Sequence, residues 1–269
     1  MDTNRPKKKF GQNFLQSDVI LKKIIQDSGV STEDHVIEIG PGRGALTKYL
    51  VKSSKSLTAF EIDTTLTSYL NPLELLNPHF KVIYQDILEV DLDAYIQNHI
   101  GSKVKVIANI PYYITSPIIF KLLESTWVSE ATLLIQKEVA DRIVANEKTG
   151  DYGSLSIMIN YQADVKKLVQ VKRTAFYPVP NVDSTVIQII KHRKYQDLIQ
   201  DEALFVKLVK ASFTQKRKTL INNLIELFGG TKDELLQKLK TIDEKYDTFT
   251  RAESLSIEDF IRLSNGWKS

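Results

Sequence analysis

Between residues 17 and 190, short apolar runs end again and again on glycine, an acid or an amide, and helix-like segments separate most of them. That alternation leaves few architectures. Strands joined through helices lie parallel in one sheet with both faces covered, an α/β layered fold. Ser17 is placed to cap a helix whose apolar face is Val19, Ile20, Ile24 and Ile25, with Gly29 as its stop. Strands are expected at 35–39, 56–60, 80–84, 104–108 and 131–135, and helices over 45–51 and from 137 to about 146. Two further β-branched runs, 165–171 and 182–190, follow with no helix between them, so the mostly parallel sheet ends in an antiparallel hairpin strand.

From about Asp201 onward only helical periodicity remains, over 201–213, 216–228, 231–239 and 256–263, with Gly229-Gly230 separating two of these. The change places a domain boundary near Lys194. An α/β ligand-binding domain is expected over 1–194, opening with a basic arm at 1–15, and a small all-helical domain over 195–269. The chain has 269 residues, 42% of them apolar, which suits one large domain with a small partner and excludes global disorder. It has no cysteine, which excludes disulfides, thiolate zinc sites and cysteine nucleophiles. Its four histidines are scattered, so no metal site is expected. No apolar run approaches the roughly 18 residues of a membrane span, and Met1 to Lys9 lacks the apolar stretch of a secretory signal. A cytoplasmic location is expected.

The chemistry concentrates at the strand ends. Glu38-Ile39-Gly40-Pro41-Gly42-Arg43-Gly44 lies between a buried strand and a helix, where glycine lets the backbone turn sharply and a ligand approach the main chain. The spacing is G-x-G-x-G rather than the G-x-G-x-x-G of dinucleotide sites, and suits an open adenosyl-type ligand better than a pyrophosphate. Glu61 closes the next strand, where a carboxylate accepts from both ribose hydroxyls, and Asp86 closes the one after, where it accepts from an adenine amine. Singly, each acid also suits a helix cap. With the glycine turn, the three successive strand ends read as one binding site.

Asn109-Ile110-Pro111-Tyr112 closes the fourth strand. The Asn109 side chain and the adjacent Ile110 carbonyl can both accept from one exocyclic amine, Pro111 stiffens the turn, and Tyr112 offers a face for stacking. The lone pair of an adenine amine is delocalised into the ring. Two acceptors in a tetrahedral arrangement favour a pyramidal nitrogen and free that pair for attack on an electrophilic methyl. Phe176, opening Phe176-Tyr177-Pro178-Val179-Pro180-Asn181-Val182-Asp183-Ser184, is placed either to cover the other face of an everted base or to plug the core under its loop.

Taken together these segments resemble the KsgA/RsmA family of ribosomal RNA small-subunit adenine dimethyltransferases, along essentially the whole chain. Also matching are Gly11 to Leu15, Glu138 to Arg142, Tyr152 to Ser156 and Phe213 to Leu220. The resemblance implies a class I, Rossmann-like methyltransferase that uses S-adenosyl-L-methionine. Its implied reaction dimethylates the N6 amines of two adjacent adenosines in the 3′-terminal hairpin loop of 16S rRNA, within an assembling small subunit. It further implies that Asn13, Leu15, Gly40, Glu61, Asp86 and Asn109 contact the cofactor, and that Asn109, Ile110, Pro111, Tyr112 and Phe176 hold the target base. Ile110 stands where Leu is more usual, which matters little to a backbone carbonyl. Residues 150–154 lack basic side chains common there, and the stretch around Lys216 carries Lys where Arg is usual, keeping charge but losing a bidentate donor.

Net charge is only +3, yet cations cluster at Lys7, Lys8 and Lys9 and again at Lys207, Lys210, Lys216, Arg217 and Lys218, where no acid occurs from Ala203 to Ile225. These are the candidate RNA contacts. Two alternatives share parts of this pattern. The 23S rRNA dimethyltransferases of macrolide resistance carry Asn-x-Pro-Tyr, but Tyr113 to Pro117 and Phe213 to Leu220 favour the small-subunit family. A non-catalytic RNA-binding assembly factor would not need an intact Asn109 to Tyr112.

Overall fold

The structure, a computed structural model, describes residues 11–268. Nine strands occur among them: β1 (Phe14–Leu15), β2 (His35–Ile39), β3 (Ser56–Phe60), β4 (Phe80–Ile83), β5 (Val104–Asn109), β6 (Val128–Gln136), β7 (Ala163–Val171), β8 (Phe176–Tyr177) and β9 (Ser184–Lys191). Seven form one sheet in the order β4-β3-β2-β5-β6-β9-β7. The pairs from β4 through β6 are parallel, and β6–β9 is antiparallel, which is the mostly parallel sheet with a hairpin end that the sequence pattern predicts. Both faces of the central strands are covered, so β2 reads Val36-Ile37-Glu38-Ile39 with every residue buried and no alternation.

The chain runs from β2 outward to β3 and β4, then returns to place β5 on the other side of β2. Ligands of open α/β sheets bind at such a reversal, outside the carboxyl ends of the strands. β2 ends at Ile39 and β5 at Asn109, so the glycine turn and the Asn-Ile-Pro-Tyr turn leave the sheet side by side.

The short strands β1 and β8 have no counterpart in the sequence reading. They pair with each other, Phe14 with Tyr177 and Leu15 with Phe176, as a separate two-stranded sheet. Two residues give too little periodicity to be seen in a sequence. Their pairing ties the segment before the first helix to the core cluster that holds Leu15, Val36, Leu57, Leu134 and Phe176.

The chain divides into two compact units, residues 1–140 with 165–191, and residues 141–164 with 192–269. This differs from a single break at 194, because 141–164 group with the helices. Tyr161 lies 5.0 Å from Phe205, ring centre to ring centre, and its hydroxyl donates to Glu202, while the Tyr152 hydroxyl donates to the Leu255 carbonyl at 2.8 Å. The helical unit has its own core, with Phe205, Leu208, Leu224, Leu239, Tyr246, Phe260 and Leu263 fully buried. Among the described residues no helix is long and apolar enough to cross a membrane.

One helix starts later than its periodicity predicts. The helix expected from 216 begins at Leu220, after Thr219. Buried Asn223 is responsible: its Oδ1 accepts from the Gln215 N–H, and its Nδ2 donates to the Ser212 and Gln215 carbonyls. These bonds hold 212–215 in a turn, so Lys216, Arg217 and Lys218 sit on a loop. Asn223→Ala is expected to leave the Gln215 N–H and the Ser212 carbonyl without the partner Asn223 supplies, and to destabilise the protein by about 2–4 kcal/mol. Thermal or urea unfolding checks this, and a midpoint equal to that of the parent chain would refute the role given to Asn223.

Candidate active site

The glycine turn is built to be tight and open at once. Gly40, Gly42 and Gly44 all take positive φ, +66°, +60° and +78°, a region costly for any residue with a Cβ. The Gly40 N–H donates to the Phe60 carbonyl at 2.9 Å, and the Gly42 N–H donates to Glu61 Oε2 at 3.0 Å, so the loop after β2 is fastened to the end of β3. A Cβ on Gly42 would come within 3.0 Å of the Phe14 ring, over which the Arg43 guanidinium lies 4.5 Å from the centroid. Gly40 faces the other wall: a Cβ there would lie 3.9 Å from the Asn109 carbonyl oxygen.

Around this turn one cleft is lined by Gly11 to Leu15, Glu38 to Arg43, Phe60 to Ile62, Gln85 to Ile87 and Ala108 to Ile114. Asn13, Leu15, Gly40, Glu61, Asp86, Asn109, Ile110, Pro111 and Tyr112 are therefore brought together, although they span about a hundred positions of sequence. Glu61 is buried, and its Oε1 accepts from the Asp63 N–H at 2.8 Å while Oε2 holds Gly42. The capping alternative for Glu61 falls to Asp63, whose Oδ1 accepts from the Thr65 N–H. Asp86 does cap, through Oδ1 and the Leu88 N–H at 2.9 Å, and lines the cleft as well. Burial raises the Glu61 carboxyl above the usual range, against the backbone bonds from Asp63 and Gly42 that lower it.

At the end of β5 the Asn109 amide donates through Nδ2 to the Asn13 carbonyl at 3.1 Å. Its Oδ1, and the carbonyl oxygen of Ile110, accept no hydrogen bond among the described residues. The Ile110 side chain is buried and its N–H donates to the Leu134 carbonyl, which anchors the turn to β6. The Tyr112 hydroxyl lies 2.7 Å from Ser184 Oγ at the start of β9, and burial pushes the phenol up from its ordinary pKa. This partner was not visible in the sequence, although Ser184 closes the Phe176 motif.

Phe176 is not brought to the cleft. It is 2% exposed, pairs with Leu15 and belongs to the core cluster, so it is the plug under the loop rather than an accessible cover for a base. In the strand it shares with Tyr177 the side chains alternate, and the inward position belongs to Phe176. Lys207, Lys210, Lys216, Arg217 and Lys218 are all exposed, and among the described residues none is in an ion pair. Lys7, Lys8 and Lys9 lie outside the described residues.

Several lining residues escaped the sequence reading. Gln12 donates to Asp63 Oδ2 at 2.9 Å, and Tyr113 packs against Gly11. Glu38 had a readable signal, an acid in an otherwise apolar buried strand. It is 1% exposed, its Oε2 accepts from Thr47 Oγ1 at 2.7 Å, and burial raises its carboxyl to about 8, with the Glu61 charge adding and the Thr47 bond opposing. Among the described residues no group of His, Asp and Glu could hold a metal ion.

The sheet order and the cleft at its reversal define a class I methyltransferase fold. A family model described as Ribosomal RNA adenine dimethylase matches residues 3–268. The chain is 46% identical over 267 residues to the Ribosomal RNA small subunit methyltransferase A of Ligilactobacillus salivarius, covering 96% of this chain and 89% of that one. It is 44% identical over 262 residues to the protein of the same name in Lactococcus lactis, with 96% and 89% covered. Among solved structures, a dimethyladenosine transferase from Plasmodium falciparum superposes with a TM-score of 0.78 at 28% identity, covering 93% and 95% of the two chains. The 23S rRNA methyltransferase ErmE shares the fold at a TM-score of 0.69 and 24% identity, covering 95% and 100%. The chain belongs to the ribosomal RNA adenine dimethylase family. It is an rRNA adenine dimethyltransferase with an S-adenosylmethionine-type cofactor.

The Glu38 environment gives a pH signature. Its folded pKa of about 8 lies above the ordinary 4.5, so its favourable contribution is complete below that lower value and is lost as pH rises through 8. Thermal midpoints of the cofactor-free protein are expected to fall over that window. Glu38→Gln, which keeps an acceptor for Thr47, is expected to flatten the fall, and an unchanged profile would show that Glu38 is ionised when folded.

Proposed function

We propose that the protein dimethylates the N6 amines of two adjacent adenosines in the 3′-terminal hairpin loop of 16S rRNA in the small (30S) ribosomal subunit, as a step in subunit biogenesis. Small-subunit methyltransferases at 46% and 44% identity support the 16S assignment over a 23S one. The observation that carries the chemistry is the pair of unclaimed acceptors, Asn109 Oδ1 and the Ile110 carbonyl, next to Tyr112 in the cleft.

The cleft residues fit S-adenosyl-L-methionine. Gly40 holds a left-handed backbone that a side chain would strain, which keeps the turn open to a ligand, and acids from two successive strand ends line the same cavity as apolar Ile62 and Ile87. In this reading Glu61 accepts from the ribose hydroxyls. Its oxygens already take backbone N–H groups from Gly42, Asp63 and Ile62, but a carboxylate offers about four acceptor positions. Asp86 accepts from the adenine amine while its other oxygen caps the following turn. Asn13, Leu15 and the Gly40 backbone complete the contacts. When bound, the cofactor supplies a methyl group activated by the positive charge on its sulfur.

The protein's own task is then to position and polarise. Asn109 Oδ1 and the Ile110 carbonyl accept both protons of the target amine and draw its nitrogen toward a pyramidal form, which localises the lone pair. Asn109 is oriented for this, because the bond from its Nδ2 to the Asn13 carbonyl fixes the amide plane and leaves Oδ1 as the group that can accept. Pro111 keeps the turn rigid and adds no competing N–H. Tyr112, held through its hydroxyl by Ser184, supplies the stacking face. No general base is required, since the alkylated amine sheds its proton readily to water. The helical unit, with Lys207, Lys210, Lys216, Arg217 and Lys218, supplies phosphate contacts to the rRNA.

Asn109→Ala is expected to lower methyl transfer by at least about a hundredfold, the scale of losing one preorganised polar group in an active site. Glu61→Ala is expected to act chiefly by raising the cofactor Kd. Transfer of labelled methyl to undermethylated small subunits, with equilibrium cofactor binding, measures both. Normal turnover in Asn109→Ala would refute the amine pocket. Mass spectrometry of the labelled rRNA fragments distinguishes 16S from 23S as the target.

A further inference from the structure

A second cavity lies within the helical unit, lined by residues that include Lys148, Asp247, Phe249, Arg251 and Glu253. Phe249 is 81% exposed there, while the aromatic side chains of the unit's core are buried. Isolated exposed apolar residues are ordinary on protein surfaces. The surroundings set this one apart, because three loops are fastened around it.

The loop that carries Phe249 is closed on itself. Asp247 Oδ1 accepts from the Phe249 N–H at 3.0 Å and from Thr250 Oγ1 at 2.8 Å, and the Asp247 N–H donates to Thr250 Oγ1 at 2.9 Å. These bonds hold the Asp247 carboxyl below its usual range, the Thr250 hydroxyl contributing most. The next loop is joined through Lys148, whose backbone takes a left-handed φ of 67° and whose N–H donates to the Glu253 carbonyl at 2.8 Å. The third is joined twice: Arg251 Nη1 donates to the Arg217 carbonyl at 3.1 Å, and the Leu220 N–H donates to the Thr250 carbonyl at 2.8 Å. Lys216 in turn donates through Nζ to the Gly150 carbonyl.

Within the cavity Asp247 and Glu253 offset Lys148 and Arg251. The excess positive charge comes from the adjoining Lys216, Arg217 and Lys218, none of which is in an ion pair among the described residues. An exposed aromatic face beside a cationic triplet is the combination that binds single-stranded nucleic acid, with base on ring and phosphate on cation. We propose that Phe249 is a stacking platform for an unstacked rRNA base, and that Lys216, Arg217 and Lys218 hold phosphates of the same strand. This rests on the reading that the helical unit contacts rRNA, and adds to it a base-stacking residue that is not one of the cations.

The test uses the full chain and two probes of equal length, a single-stranded oligoribonucleotide and its abasic counterpart. Phe249→Ala is expected to weaken binding of the oligoribonucleotide by roughly five- to a hundredfold, the size of one lost base–aromatic stack. It is expected to leave the abasic probe and the salt dependence unchanged. Phe249→Trp restores binding and shows tryptophan quenching on addition of the base-bearing probe. Lys216→Glu lowers affinity for both probes, more at low salt. Equal binding by Phe249→Ala and the parent chain overturns the platform, while loss in Lys216→Glu keeps the phosphate reading intact. Equal weakening of both probes in Phe249→Ala also overturns it, since the base then plays no part. Should Phe249→Ala instead abolish a concentration-dependent self-association and leave RNA binding untouched, Phe249 serves a contact between copies and the proposal fails.

Discussion

The position of β2 between β3 and β5 is the constraint from which the site follows. Both neighbours run parallel to it, yet the chain reaches them by connections leading to opposite sides. The turns after β2 and β5 therefore border a gap that no crossover fills. Everything chemical in the ligand-binding unit faces that gap: the glycine turn from β2, Glu61 from β3, Asp86 from β4 and Asn109 from β5.

A gap of this kind needs rigid edges, and hydrogen bonds among neighbouring strand ends supply them. Glu61 braces the glycine turn through Gly42 and its own loop through Asp63. Asp63 reaches on to Gln12, and Asn109 to the carbonyl of Asn13, so the segment before the first helix is fastened across the cleft at two places besides its pairing with β8. The result is electrostatically economical. Glu38 and Glu61 are both buried in one corner, and two full charges there would repel at low local dielectric. Burial keeps Glu38 protonated through neutral pH, which relieves that repulsion.

The resemblance of the chain to a known family and the bottom-up reading of its strand ends led to one site, but not for the same residues. Glu61, Asp86 and Asn109 were legible because an acid or amide that closes an apolar run has nowhere else to point than the carboxyl edge of the sheet. Phe176 was open between two roles, since an aromatic before a strand suits a base cover and a core plug alike. The packing of β8 against β1 decided for the plug. Helical periodicity in the neighbours of Lys216 to Lys218 predicts a helix there, and a single buried amide, Asn223, holds them on a loop instead. Residues 141–164 looked like part of the α/β alternation and group instead with the helices through Tyr152 and Tyr161.

By itself the sequence determined the layered sheet, the reversal of strand direction at its end and the identity of the groups at the strand ends. These depend on local periodicity and on backbone conformations that only particular residues adopt. The tertiary structure alone decided which of those groups meet, how Asn109 is turned, what holds Tyr112, and where Phe176 and the lysine loop lie. The lysine loop is set by Asn223 over 8 to 11 positions, but the others depend on hydrogen bonds or packed contacts between residues far apart in the chain, such as the 72 positions between Tyr112 and Ser184 and the 96 between Asn13 and Asn109. No local pattern encodes a partner at that distance, so such contacts exist only once the chain has folded.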